Sequence, residues 1–430
     1  MYKISLIAFS FLGLQNVSAQ FYQLGINVAM TDINNNGVAA GSSANKNNLM
    51  WTKEDGVQNI GVVSRDLLAG QSLIGADNNK IIGFMTNPDT NFNQPGIYDT
   101  TTKTWKLLGG LSGASDARIA TAWGMTEDGK MIVGLGYINA AESHAVTWEI
   151  DGDNVTITDL GTTVPGRASR ANTISADHST IVGWQDSSFG NRDGAYWING
   201  VQTLIKSVTG VAVSEPLGVS ADGKVMVGAS GNFPYVYNRE TNTYLEIENP
   251  LVNNFYRGGA TAVSADGKTV IGYYRTWPGG PHLGTGFIWT AEKGRMNLDD
   301  YVASFGIDTG GLKLSLPLAI SPDGTKIAGQ GMNPVNSLPY GFVVDLANAS
   351  LAVSNTTEKS DVKIYPNPVK DVLSIANSKS IKSVEVINMA GQKVASATSN
   401  QINVANLPKG TYVVRVVDGN QTTTHKIVKE

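Results

Sequence analysis

The chain has no cysteine, only four histidines, and 16% charged residues among its 430. Without cysteine there is no disulfide framework, no thiolate metal site and no cysteine nucleophile. His144, His178, His282 and His425 stand apart in the sequence, and none belongs to a paired metal-ligand motif. A Gly-x-Ser-x-Gly elbow and a phosphate-binding loop are also missing. No metal and no cofactor is therefore expected. The longest early apolar run, ISLIAFSFLGL (4–14), is about half of a membrane span, so no transmembrane segment is expected. Preceded by Lys3 and followed by Val17-Ser18-Ala19, it reads as a secretory signal covering residues 1–19. Basic charge is scarce in the body: residues 20–346 hold 21 Lys+Arg against 30 Asp+Glu. A body this acidic lacks the basic face that phosphate neutralisation needs, which argues against nucleic acid as a partner.

Glycine, by contrast, is abundant at 48 residues, and it is periodic. SADGKVMVG (220–228), SADGKTVIG (264–272) and SPDGTKIAG (321–329) are the clearest copies of one pattern. TEDGKMIVG (126–134), SADHSTIVG (175–183), GADNNKIIG (75–83) and the shorter NNNGVAAG (34–41) complete seven. Their spacing of 41 to 57 residues fits one four-stranded blade per repeat. Within a repeat, an alternating strand runs into the Asp-Gly turn, and a second strand leaves it. A third follows, as GFIWT (286–290), and then a fourth, as MNLDD (296–300). The third strands carry Trp51, Tyr98, Trp148, Trp197, Tyr237 and Trp289 in one slot, a pattern of packing between blades rather than ligand contact. The turn aspartates, Asp77, Asp128, Asp177, Asp222, Asp266 and Asp323, are expected to bond their own backbone rather than calcium.

The last repeat lacks a fourth strand after GFVVD (341–345), whereas FYQLG (21–25) precedes the first turn with no repeat of its own. An N-terminal strand that completes the last blade closes the ring and removes the open edge. The fold class expected is all-β: a seven-bladed β-propeller over residues 20–346, a linker over 347–362, and a small Ig-like β-sandwich over 363–430.

The order of SADG…VIG, GFIWT and Asp-Leu-Gly (159–161), with a closing LAISPDGTKIAGQGMNP (318–334), resembles the HAF family of extracellular bacterial repeats. That resemblance covers roughly residues 25–346 and implies a propeller-like fold outside the cell, with no agreed activity. The C-terminal module resembles the sorting domain of the Bacteroidetes type IX secretion system. It does so through Tyr365-Pro366-Asn367-Pro368, Gly391, LPKGTY with Gly410 and Tyr412, and the terminal Lys426-Ile427-Val428-Lys429. This resemblance implies that residues 363–430 engage the secretion machinery and that the cargo is released or attached at the surface.

Arginine is unevenly placed. In a propeller, loops between second and third strands share one face with loops between blades. Arg65, Arg118, Arg167, Arg170, Arg192, Arg257 and Arg275 fall in these loops, seven of the ten arginines. Trp184, Tyr256, Trp277 and His282 join them. Arginine forks suit carboxylates or sulfates, and flat aromatics suit sugar rings, so this face is a candidate site for an acidic glycan or a surface partner. The competing expectation is local pairing of these arginines with Asp66, Asp116, Asp186 and Asp193. Two other functions compete with a binding module. One is a polysaccharide-degrading enzyme led by His282, Arg275 and Tyr256; the other is a structural adhesin.

Overall fold

In a computed structural model the described residues are 20–62, 71–111, 120–139, 142–250, 255–347, 363–376, 380–388, 393–418 and 421–430. The expected signal segment, Arg65, Arg118, Gly391, the Lys426 side chain and all of the expected linker except Ala347 lie outside them. The chain divides into two units, residues 1–352 and 353–430.

Among the described residues the first unit holds seven four-stranded antiparallel sheets. Sheets 1 to 6 begin at Val28, Leu73, Ala120, Ser169, Pro216 and Tyr256, and each runs in chain order from its innermost strand. Sheet 7 takes Lys313–Ile320, Lys326–Asn333 and Leu338–Asp345 from the end of the unit. Its fourth strand is Gln20–Ile26, paired antiparallel with Leu338–Asp345. The leftover N-terminal strand thus does close the ring.

Apolar seams join each sheet to the next. Val38 and Ile60 of sheet 1 pack with Ile81 and Tyr98 of sheet 2, and Ile82 of sheet 2 with Trp148 of sheet 3. The series continues through Val133 with Trp197, Val182 with Tyr235, Val227 with Tyr274 and Ile271 with Phe342. Val343 and Leu24 of sheet 7 then meet Met30 and Trp51 of sheet 1. Of the third-strand aromatics, Trp51, Tyr98, Trp148, Trp197 and Tyr237 are buried, and Trp289 is half-buried against the seam between sheets 5 and 6.

The repeated Ser-x-Asp-Gly turn has a hydrogen-bonding reason. In sheet 5, Ser220 Oγ donates to Asp222 Oδ1 (2.7 Å) and accepts from the Val225 N–H (3.0 Å). Asp222 Oδ1 also accepts from the Lys224 N–H (3.2 Å), and Gly223 takes φ 69°. Sheets 3, 4, 6 and 7 repeat the hydroxyl-to-carboxylate bond at 2.6–2.7 Å. His178 fills the glycine position of its turn at φ 64°, as its place in the motif requires. The turns also bond one another: Ala221 N–H donates to Ala265 O (2.9 Å), Ala265 N–H to Pro322 O (2.9 Å), and Asp323 N–H to Asn35 Oδ1 (2.9 Å).

The glycine that ends each motif answers a different demand. A Cβ at Gly134 or Gly183 would lie 2.0 Å from the carbonyl oxygen of Thr121 or Arg170 on the innermost strand. The innermost strand comes this close because it carries a bulge. Register shifts fall at the same place in six sheets, between Met30 and Asp32, Ala122 and Gly124, Ala171 and Thr173, and their equivalents. At five of the bulges the re-aimed side chain, Thr31, Trp123, Leu217, Thr261 or Leu318, lines a central cavity of about 180 Å³, whereas Asn172 in sheet 4 donates to Pro216 O (2.7 Å).

One predicted strand is wrong in part. MNLDD was expected as the fourth strand of its repeat, but the strand is Gly294–Asn297 and Leu298–Ala303 is helical. Asn297 caps that helix by accepting from the Asp299 N–H (2.8 Å), and Asp299 and Asp300 suit its first turn.

The second unit has a three-stranded sheet (363–365, 372–376, 401–403) and a four-stranded one (393–397, 381–388, 410–418, 421–429). Leu373, Ile375 and Ile402 from the first share a core with Val384, Val386, Val414 and Val416 from the second.

Candidate binding face

The face opposite the Ser-x-Asp-Gly turns gathers most of the predicted arginines that can be described. Most of them sit at strand ends rather than in loops, because the inner and second strands run out to this rim. Arg170 is on the innermost strand of sheet 4, Arg192 opens its third strand, and Arg257 and Arg275 face each other across sheet 6.

Arg170 is the most enclosed of them, at 9% exposure. Its guanidinium carbon lies 3.7 Å from the Trp123 ring centroid and 5.3 Å from that of Trp184. Nη2 donates to Glu215 Oε2 (2.8 Å) and Nε to Asn172 Oδ1 (2.7 Å). Glu215 also takes Arg192 Nη1 (3.1 Å), and Arg192 lies 4.3 Å above Trp184. Burial pulls Arg170 down to about 10, opposed by the Glu215 charge, while Arg192 adds to the fall. This cluster is a stacked, charge-bridged clamp between sheets 3, 4 and 5. Trp184, at 5% exposure, is part of its interior and not the open platform expected of it. Among the described residues the ion pairs of Arg170 and Arg192 go to Glu215, just ahead of sheet 5, while the charges of Arg192 and Arg167 also act on Asp186. Sequence reasoning missed Glu215 and Trp123 because their partners lie 23 to 47 positions away.

A second cluster crowns sheet 6. Arg257 and Arg275 are a directly opposed cross-strand pair. Their guanidinium carbons lie 4.8 and 5.0 Å from the Trp277 ring centroid. Trp277 is 44% exposed, and its backbone N–H donates to the carbonyl of Phe255 (2.6 Å), itself 65% exposed. The Arg275 guanidinium donates to the Gly279 carbonyl. Tyr256, expected on this surface, stacks instead on Tyr274 at 5.5 Å with an interplanar angle of 7°. Burial raises the Tyr273 phenol, the Arg275 charge and hydrogen bond pull it back, and the Glu215 charge pushes it up again. Arg167 lies apart, donating to the Ser188 carbonyl. His282 sits in the short 3-10 turn 281–283, where its carbonyl accepts from Ser315 Oγ (2.6 Å).

The cavity below the rim has its own electrostatics. Asp32 accepts from the Ile33 and Ile74 N–H groups, each at 2.9 Å. Burial nevertheless pushes its carboxyl up to about 6, with the charge of Glu127 adding to the rise. The folded state therefore holds a proton that the unfolded chain releases above about pH 4, so stability falls as pH rises from about 4 to about 6. The wild-type protein is expected to be more stable at pH 4.5 than at pH 7 by on the order of 2 kcal/mol. Asp32→Asn is expected to remove most of that difference in urea denaturation. Below this window Asp128, Asp177, Asp222, Asp266 and Asp323 act oppositely. The Ser264 hydroxyl, helped by the Lys268 N–H, holds Asp266 below the ordinary range, so its contribution is lost on further acidification.

In the second unit, Asn367 Oδ1 accepts from the Val428 N–H (2.9 Å) and the Val369 N–H donates to Val428 O (2.8 Å). The Tyr365-Pro366-Asn367-Pro368 run thus holds the last strand in place. Tyr412 is buried and donates to Pro408 O (2.8 Å), which locks the LPKGTY corner ahead of the strand that begins at Gly410. Lys429 is buried too, with Nζ donating to Glu430 O (2.6 Å).

Among curated proteins none matches the chain. Among solved structures, one titled "Crystal Structure of Mitotic Checkpoint Complex" shares 13% identity, with a TM-score of 0.47, covering 79% of this chain and 97% of that one. No helix among the described residues is long and apolar enough to cross a membrane. Residues 363–430 match the family model described as "Secretion system C-terminal sorting domain". The protein carries a type IX sorting tail and is exported to the cell surface or the extracellular space.

Proposed function

We propose that the ring is a non-enzymatic binding module that meets an acidic glycan outside the cell, with residues 363–430 serving only its export. The observation that carries this reading is the Arg257–Arg275 pair beside Trp277. Like charges directly opposite one another on paired strands are destabilising. Among the described residues Glu215 pairs with Arg170 and Arg192, and no carboxylate pairs with Arg257 or Arg275. A carboxylate or sulfate seated between the two forks relieves that repulsion, while a sugar ring stacks on exposed Trp277. The stacked clamp around Arg170 holds the neighbouring rim rigid. The HAF-type kinship of the repeats belongs to the same proposal and rests on the order of their motifs.

Calorimetry of the full chain against acidic and neutral oligosaccharides tests it. Acidic chains are expected to bind, more weakly as salt rises. Trp277→Ala is expected to weaken binding about tenfold or more, since stacking and cation–π contacts are each worth about 1 kcal/mol. A glycan array on which no acidic saccharide binds would leave the structural, adhesin-type reading in its place.

A further inference from the structure

NNNGVAAG (34–41) is the one turn motif that is a residue short. Beside that turn, at the seam between sheets 7 and 1, lies a cavity of about 470 Å³. It is on the face opposite the arginine rim. Asn36 and Gly37 of the short turn line it, together with Lys326 and Asp345 of sheet 7. Tyr22, from the strand that closes the ring, and Trp51 of sheet 1 add an aromatic wall, their ring centroids 5.0 Å apart.

Lys326 is 7% exposed, and a lysine is seldom so buried without full pairing. Its stem approaches Gly37, where a Cβ would lie 3.5 Å from Cε. Nζ donates to Thr325 Oγ1 (3.1 Å), while Asp345 Oδ1, from the residue directly across the strand pair, stays 3.8 Å away. An ammonium carries three donors, so two of them have no acceptor among the described residues. A buried cation with one neutral hydrogen bond and a carboxylate beyond bonding distance is incompletely solvated by the protein. What completes it must enter the cavity.

The lining selects the class of ligand. An anion would meet Asp345 and, in the 53–55 turn, Glu54 and Asp55; a cation would meet Lys326 and Lys53. A neutral ligand rich in hydroxyls meets neither penalty, because each hydroxyl can accept from the ammonium and donate to the carboxylate. The volume is within the range of small-molecule pockets, about 300–1,000 Å³, and the aromatic wall offers apolar surface to the C–H face of a sugar ring. We propose that the cavity at the closure seam binds a neutral sugar residue, held by Lys326 and Asp345. This site is separate from the arginine rim and does not rest on the acidic-glycan reading.

The test is saturation-transfer NMR of the full chain with glucose, galactose and mannose, each then titrated for affinity. At least one is expected to bind. Lys326→Met keeps the apolar stem and removes the donors, and it is expected to weaken that binding about tenfold or more. Asn36→Trp is expected to block it by occupying the space, since Asn36 is an exposed lining residue outside the ion pair. Melting curves establish that each variant is folded, and if Lys326→Met fails to fold, Asn36→Trp decides. Full binding in a folded variant of either kind places the sugar elsewhere and overturns the proposal. Absence of binding by all three sugars overturns it too, and leaves Lys326 and Asp345 as a purely structural bridge between strands.

Discussion

Removing residues 20–26 is expected to lower stability by about 5 kcal/mol and to make the protein aggregate. The strand supplies the whole outer ladder of sheet 7, pairing Gln20 with Asp345 through Gln23 with Phe342. It also buries Leu24 in the seam between sheets 7 and 1, and it places Tyr22 5.0 Å from the Trp51 ring. A buried leucine contributes about 2–3 kcal/mol and an aromatic pair about 1 kcal/mol, before lost backbone bonds are counted. Deletion also bares the Leu338–Asp345 edge, whose Phe342, Val343 and Val344 are apolar, and such an edge recruits other chains. Leu24→Ala separates the two effects: it should cost about 2–4 kcal/mol without baring the edge. Chemical denaturation and light scattering read both. A deletion variant that melts like the wild type would show that the ring closes without this strand.

Glu215→Ala is expected to cost about 3–5 kcal/mol, more than any other single charged residue on the rim. It leaves Arg170 enclosed between two tryptophans without a counter-charge, and breaking a buried pair from one side is the expensive direction. Arg192 loses its partner in the same step, though it reaches water and loses less. The pair itself is a different quantity. Glu215→Leu combined with Arg170→Met is expected to recover most of the loss, because an apolar replacement of both ends removes the desolvation cost along with the attraction. A double-mutant cycle at these two positions measures their coupling. A loss below about 1 kcal/mol for Glu215→Ala would mean that the clamp is solvated and contributes no rigidity to the rim.

The arginine-rich face shows how far pattern reading reaches. Loop class alone put Arg170, Arg192, Arg257 and Arg275 on one side of the ring, and they are there. Pattern could not separate them into an interior clamp and an open pair. That division depends on Trp123, which a bulge turns inward, and on Glu215, which arrives from the next sheet. Tyr256 was misjudged for the same reason. Its ring meets Tyr274 across the strand pair, a contact that its sequence neighbours Phe255 and Arg257 do not announce.

Local chemistry by itself determined the repeat. Ser-x-Asp-Gly closes its own turn through bonds within five residues, so the turn is written wherever the motif is written. The final glycine of six motifs is equally fixed, because the inner-strand carbonyl opposite leaves no room for a Cβ; at Gly83 the Asn48 side chain and the Trp105 ring fill that place. Strand count and ring closure also follow from the sequence, since an unpaired fourth strand at one end and a missing one at the other have a single joint solution. The C-terminal module announced its role through separated motifs in order. What the tertiary structure alone decided is which side chains are spent on holding sheets together and which remain open to a ligand. Contacts such as Arg170 to Glu215 join residues whose separation is set by loop lengths, and no local rule specifies what a neighbouring sheet will place opposite. Burial and pairing at the rim are properties of two sheets at once, and for that reason they could be read only in the folded ring.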